Sequence, residues 1–224
     1  MNPCLIPPVV LFDLDGTLVD TAPDLHAAMN RMLDDAGRAP VALEGFRRVV
    51  SRGGLAMLEH AFPDLPETER AALLAPYLDR YGRETTRLSR PFDGVEPLLA
   101  AIEASGARWG IVTNKPGWLS VRVVEGLGWS ERCAVLVAGD TLPVKKPDPA
   151  PLLHACTQLE IDAGQCVYVG DDARDIQAAR AAGMRAIAAL WGYRSMHDDP
   201  AEWGSDVLVE TPHGLLTAGV LVRA

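Results

Sequence analysis

The sequence predicts an α/β fold: a parallel sheet with helices on both faces, interrupted by an inserted all-helical subdomain. Three features predict it. Short apolar runs recur along the chain with helical stretches between them, the order a parallel sheet requires. The residues just past those runs are acids, a threonine and asparagine, and a lysine loop, as if the strand ends shared one polar edge. Between the first and second runs, residues 21–87 show helical spacing and no alternation of period two.

The first strand is Val9 to Phe12, an apolar run that reads as buried on both faces. Asp13, Asp15, Gly16 and Thr17 follow at its carboxyl end, where ligands bind in open α/β sheets. Asp13 and Asp15 lie two residues apart, so an extended backbone points both the same way. Their repulsion is about 4 kcal/mol at about 4 Å with an effective dielectric near 20. A divalent cation or a proton held by one of the pair must offset it. Gly16 lets the chain turn away, and Thr17 offers a hydroxyl and an N–H to an anion. Asp-x-Asp-Gly also opens calcium loops of the EF-hand kind, but those need a third oxygen ligand before the glycine and a preceding helix. For this motif alone, a solvated turn is the commoner reading; the later strand ends argue against it.

The next stretch is helical. Thr21 is a candidate N-cap, Pro23 suits a first turn, and Leu25, Met29, Met32 and Leu33 share a face that ends at Gly37 and Pro40. Phe46, Val49 and Val50 suggest a short helix, Leu55 to Phe62 another, and Leu73 to Tyr81 a longer one capped near Thr68 or Glu67. These residues, 21–87, form the expected helical cap; 1–20 and 88–224 form the core, with Asp20–Thr21 and Leu88–Pro91 as linkers. Ser51-Arg-Gly-Gly-Leu55 is a glycine-rich turn inside the cap. It reads either as a plain inter-helix loop or as a specificity loop, with Arg52 and Gly53 facing the Asp pair and Arg52 available to an anionic group.

Past Pro91-Phe-Asp-Gly94, a helical stripe (Val95, Leu98, Leu99, Ile102) leads to a second strand, Arg108 to Asn114. A helix from about Trp118 to Leu127 precedes the third strand, Ala134 to Ala138, and then a loop with Lys145-Lys146-Pro-Asp-Pro149. The fourth strand, Cys166 to Gly170, ends in Asp171-Asp172, with Asp175 one turn into the following helix. Met184 to Leu190 and Asp206 to Val209 are the fifth and sixth strands.

Composition narrows the possible partners. The 224 residues are 48% hydrophobic and 23% charged, with a formal net charge of −9, which is ordinary for a soluble globular chain. No Lys/Arg run argues for nucleic acid or a basic membrane anchor. No signal peptide and no bilayer-spanning run is expected. Cys4, Cys133, Cys156 and Cys166 have no metal-site spacing and read as reduced, cytoplasmic residues. Oligomeric state is not encoded in any pattern seen here.

Four strand ends therefore carry chemistry: Asp13/Asp15, Thr113/Asn114, the Lys146 loop and Asp171/Asp175. A parallel sheet brings all of them to one edge. Carboxylates, a lysine and a threonine in one place suit phosphoryl transfer, with Mg²⁺ as the hard cation for an oxygen-only site. At this level the chain resembles the haloacid dehalogenase superfamily phosphatases, phosphoglycolate phosphatase type, with a Rossmann-like core. The motifs are Asp13-Leu-Asp-Gly-Thr-Leu, Val112-Thr-Asn114, Lys146-Pro-Asp-Pro and Val169-Gly-Asp-Asp-Ala-Arg-Asp175.

The resemblance implies roles. Asp13 is the nucleophile that forms an aspartyl-phosphate, and Asp15 the general acid and base. Thr113 and Asn114 bind the phosphoryl group and Lys146 neutralises charge. Mg²⁺ is held by Asp13, the Asp15 carbonyl and Asp171, with Asp175 behind them. Asp172 reads equally well as a helix N-terminal acid, and Lys145 and Asp148 as solvated charges.

Four other readings share parts of this set. Dehalogenases do not need Asp15. Sugar-phosphate mutases place a His twelve residues past the nucleophile, where this chain has Leu25 beside His26. Response regulators lack the helical insertion. A non-enzymatic phosphate-ligand binder requires vestigial motifs. The partner is a small phosphorylated metabolite: phosphoglycolate first, N-acetylmuramic acid 6-phosphate second. The second follows a likeness of Arg90-Pro-Phe-Asp-Gly94, Trp109 to Pro116, Asp171 to Ile176 and Trp203-Gly-Ser-Asp206 to bacterial phosphatases of cell-wall recycling. Trp191, Tyr193 and Trp203 are expected to cover core between the last strands, with the rim of the site as the other reading.

Overall fold

The computed structural model describes residues 6–193, 198–217 and 220–221; Cys4 lies outside them. Six parallel strands form the main sheet in the order β5-β4-β1-β6-β7-β8. They are β1 (Val9–Phe12), β4 (Arg108–Val112), β5 (Leu136–Val137), β6 (Cys166–Gly170), β7 (Arg185–Ala189) and β8 (Val207–Val209). All six predicted strands are present. β1 lies inside the sheet, paired on one side with β4 and on the other with β6, so its run must be apolar on both faces. Val9 and Leu11 pack into one core layer and Val10 and Phe12 into the other, the alternation a pleated strand imposes.

Four helices flank the sheet: α5 (Val95–Ala104), α6 (Gly117–Gly126), α7 (Ala150–Leu159) and α8 (Ala173–Ala181). Residues of α5 and α6 join the layer of Val10 and Phe12; residues of α7 and α8 join that of Val9 and Leu11. The third predicted strand is shortened to two residues because it is an edge. Ala134 and Val135 still bond β4, through Ala134 N to Trp109 O and Ile111 N to Val135 O, but the regular ladder covers only Leu136–Val137.

Four more helices follow β1: α1 (Ala22–Asp35), α2 (Leu43–Val50), α3 (Gly54–Ala61) and α4 (Glu67–Gly82). They share a third core around Leu25, Met29, Phe46, Leu58, Tyr77 and Tyr81. The segments on either side of them pair with each other as β2 (Val19–Asp20) and β3 (Arg90–Pro91), an antiparallel ribbon that the sequence did not disclose.

Two caps differ from expectation. Helix α4 starts from Pro66 rather than Thr68 or Glu67; Pro66 needs no N–H at that position, and Glu67 and Glu69 fill the first turn, where the helix dipole favours acids. Thr21 does occupy the N-cap position of α1, but its side chain caps nothing; its hydroxyl donates to Asp15 instead.

Candidate active site

The site lies where the carboxyl ends of β1, β4 and β6 meet the loop between α2 and α3. A cavity of about 330 Å³ is lined on one side by Asp13, Asp15, Thr113, Asn114 and Lys146 and on the other by Ser51, Arg52, Gly53, Gly54 and Leu55.

Asp13 leaves β1 with its N–H bonded to Val169 O. The chain then turns sharply at Gly16, whose φ is +88°. A Cβ there would come within 2.2 Å of Asp171 Oδ2, so the turn can lie against Asp171 only if residue 16 has no side chain. Thr17, expected to meet an anion, spends its hydroxyl on Asp171 Oδ1 at 2.7 Å. The N–H of Tyr193 donates to Asp171 Oδ2 at 2.9 Å.

Asp13, Asp171 and Asp175 each offer an oxygen within 4.8 Å of the others. Lys146, almost wholly buried, stands among them, with Nζ 3.0 Å from Asp13 Oδ1 and 2.7 Å from Asp175 Oδ1. It also donates to Val112 O and Tyr168 Oη, at 2.9 and 2.7 Å. Burial opposes the Lys146 ammonium, but Asp13 and Asp175 outweigh it, and its pKa is raised. Burial, reinforced by the charges of Asp13 and Asp175, pushes Asp171 well above the usual carboxylate range. Burial raises Asp175 to about 7 against the pull of Lys146. Asp13 and Asp175 thus share one ammonium, with Asp171 beside them.

Asp13 Oδ1 is buried and, although 3.0 Å from the ammonium, makes no well-directed hydrogen bond. An oxygen-only cluster with surplus negative charge and an unsatisfied carboxylate oxygen fits a hard divalent cation. Asp171 has both oxygens engaged, by Thr17 and the N–H of Tyr193, and so has Asp175, by Lys146 and the N–H of Asp172, which leaves Asp13 Oδ1 as the unsatisfied oxygen of the cluster.

Asp15 is not part of this cluster. Its carboxylate lies 3.0 and 3.1 Å from Lys115 Nζ and accepts from Thr21 at 2.6 Å. Besides the cation that the cluster fits, lysines offset the Asp13/Asp15 repulsion: Lys115 pairs with Asp15, and Lys146 with Asp13 and Asp175. Lys115 was not singled out from the sequence. It is buried, and its ammonium sits 4.6 Å from the centre of the Tyr81 ring. Its place directly after Val112-Thr-Asn114 was the available signal.

Thr113 is buried just past β4, its Oγ1 accepting from Lys115 N. Asn114 exchanges two bonds with the main chain of Lys146, at 2.9 and 3.0 Å. Although expected to bind phosphate, its amide pins the Lys146 loop to the end of β4. Asp172 is the N-cap of α8, in a capping box with Asp175. Arg52 is largely exposed and only 3.9 Å from Glu59; Gly53 faces the cavity with φ +88°. His26 is taken up by Val41 O and the edge of Phe46. Trp203 packs in the sheet core and Trp191 against it, as expected, whereas Tyr193 belongs to the core of α1–α4.

An acid cluster, a buried lysine and a threonine at the carboxyl edge of a parallel sheet define a phosphoryl-transfer enzyme. The family model of the haloacid dehalogenase-like hydrolases matches residues 10–189, and the chain belongs to that family. A phosphoglycolate phosphatase of Xylella fastidiosa (strain Temecula1) is 53% identical over 92% of this chain and 90% of its own. An N-acetylmuramic acid 6-phosphate phosphatase of Pseudomonas aeruginosa is 47% identical over 96% of this chain and 95% of its own. Among solved structures, a predicted phosphoglycolate phosphatase from Haemophilus somnus 129PT superposes with a TM-score of 0.83 at 27% identity, covering 93% of this chain and 96% of that one. The protein is a phosphoric monoester hydrolase. Among the described residues no helix is long and apolar enough to cross a membrane.

Proposed function

We propose that the protein is a Mg²⁺-dependent phosphatase acting through an aspartyl-phosphate, with phosphoglycolate as its substrate. The observation that carries this reading is the cluster of Asp13, Asp171 and Asp175, with Lys146 bridging Asp13 and Asp175, beside a cavity open to a small ligand. Asp13 attacks phosphorus and becomes acylphosphate. Asp15, steadied by Lys115 and Thr21, gives its proton to the leaving oxygen and later takes one from water. Thr113 and Lys146 hold phosphoryl oxygens, and Asn114 keeps Lys146 in place. Mg²⁺, held by Asp13, the Asp15 carbonyl and Asp171, would supply charge neutralisation at the phosphoryl group.

In the same reading residues 21–87 act as a cap over a core of 1–20 and 88–224, presenting Arg52 and Gly53 to the leaving group. The unpaired thiols of Cys133, Cys156 and Cys166 suit a reducing cytoplasm. One observation favours N-acetylmuramic acid 6-phosphate as a second reading. The wall of the cavity facing the acids includes the apolar residues Leu55, Met57, Leu74 and Leu78, which a two-carbon acid has no surface to cover. The test is kcat/KM for both esters with Mg²⁺. A hundredfold or greater preference for the sugar ester would replace phosphoglycolate by the second substrate, and no turnover of either, or of an aryl phosphate, would reject the phosphatase.

A further inference from the structure

Arg174 lies in the first turn of α8 and borders the cavity alongside Asp13 and Lys146. Its Nε donates to Asp172 Oδ1 at 2.7 Å and its Nη2 to Asp172 Oδ2 at 2.8 Å. This fork-on-carboxylate pair fixes the plane of the guanidinium. Nη2 also donates to the carbonyl of Ser51 at 2.5 Å, reaching the loop between α2 and α3. Among the described residues, Nη1 has no partner.

The other cations around the cavity are less suited to reading a substrate. Lys146 is shared by Asp13 and Asp175, Lys115 is held by Asp15, and Lys145 is exposed on its loop. The side chain of Arg52 is 62% exposed against 35% for Arg174, so ordering Arg52 on a ligand costs more side-chain entropy. Arg174 is already ordered by Asp172 and lines the same cavity as Asp13.

We propose that Arg174 is a specificity-determining residue whose Nη1 receives a carboxylate on the leaving group of the phosphate ester. The site then selects phosphorylated acids, a two-carbon acid or an acid-bearing sugar, over neutral esters of the same size. This rests on the phosphatase reading above and deepens it.

The experiment uses the Mg²⁺-loaded full chain and two matched pairs of esters. One pair is phosphoglycolate and ethyl phosphate; the other is N-acetylmuramic acid 6-phosphate and N-acetylglucosamine 6-phosphate, which lacks the lactyl carboxylate. The readout is the ratio of kcat/KM within the pair that the wild type turns over. Arg174→Gln is expected to lower that ratio roughly 10- to 100-fold, the scale of one charge-assisted hydrogen bond, chiefly through KM of the acidic ester. Arg174→Lys should restore part of it, because charge without the fork is the weaker match.

An unchanged ratio would overturn the proposal, even where both rates fall, since that is the signature of a residue that only steadies the loop. A wild type that shows no preference for the acidic ester of either pair would also overturn it. A wild type that hydrolyses neither these esters nor 4-nitrophenyl phosphate would instead reject the phosphatase reading itself.

Discussion

The floor and the opposite wall of the cavity are built differently. On the floor, every acid is tied down: Asp13 and Asp175 to Lys146, Asp15 to Lys115 and Thr21, Asp171 to Thr17 and the N–H of Tyr193. These partners come from strand ends and are mostly buried. On the wall, the loop Ser51–Leu55 has an exposed arginine, an exposed leucine and a serine whose buried hydroxyl has no partner. A preorganised floor can stabilise a developing charge without rearranging. A loosely held wall leaves the site accessible. Chemistry and access are thus assigned to separate elements, and substitutions on the two sides should differ in kind as well as in size.

The largest effect belongs to Asp13. Asp13→Asn keeps the shape and removes the nucleophile, so single-turnover and steady-state hydrolysis of an aryl phosphate should fall on the order of 10⁴-fold or more. Retention of a tenth of the activity would show that the floor is not the reacting side. Next is Lys146→Met, which leaves Asp13 and Asp175 buried without their shared ammonium. Breaking a buried pair costs about 3–5 kcal/mol, read as a lower denaturant midpoint, and kcat should fall with it. Lys115→Met should lower kcat roughly 10²-fold, at the low end for general acid–base groups, with less effect on KM, since Lys115 acts through Asp15. Equal changes in KM and kcat would instead make Lys115 part of the wall.

The smallest effect is one of pH. Asp175, raised to about 7, and Asp171, also pushed up by burial, carry protons in the folded protein at pH values where the unfolded chain has lost them. The folded state then binds more protons, so stability of the cation-free protein falls as pH rises from the ordinary carboxylate range through about 7. A thermal melt series should show this decline. Added Mg²⁺ should raise the melting temperature more at the upper end of that window than at the lower. A melting temperature that climbs through the window without Mg²⁺ would show these acids to be ionised by some other partner.

The sequence made the sheet legible because its strands are unmixed apolar runs, and Val9 to Phe12 needs no partner to be recognised. Helices α1 to α4 were equally plain from Leu25, Met29, Leu58 and Tyr77 at helical spacing. The edge location of Asp13, Thr113, Lys146 and Asp171 followed from parallel topology alone. The ribbon of Val19–Asp20 with Arg90–Pro91 did not, because two residues carry no period. Lys115 escaped notice because its partner is 100 positions away, and Arg174 because its loop contact spans 123. Asn114 and Thr17 were placed at the right edge, but their hydrogen bonds go to neighbours that only the folded chain reveals.

Tyr193 joins two places that would otherwise be independent. Its amide feeds the Asp171 carboxylate, while its phenol accepts from Ala22 N and donates to Asp20, at the ribbon leading into α1. The Asp171 carboxylate and the ribbon leading into α1 are therefore held by one residue, through its main chain on one side and its side chain on the other. Any coupling between an ion at Asp171 and the position of α1 through Tyr193 would have to be equal in both directions.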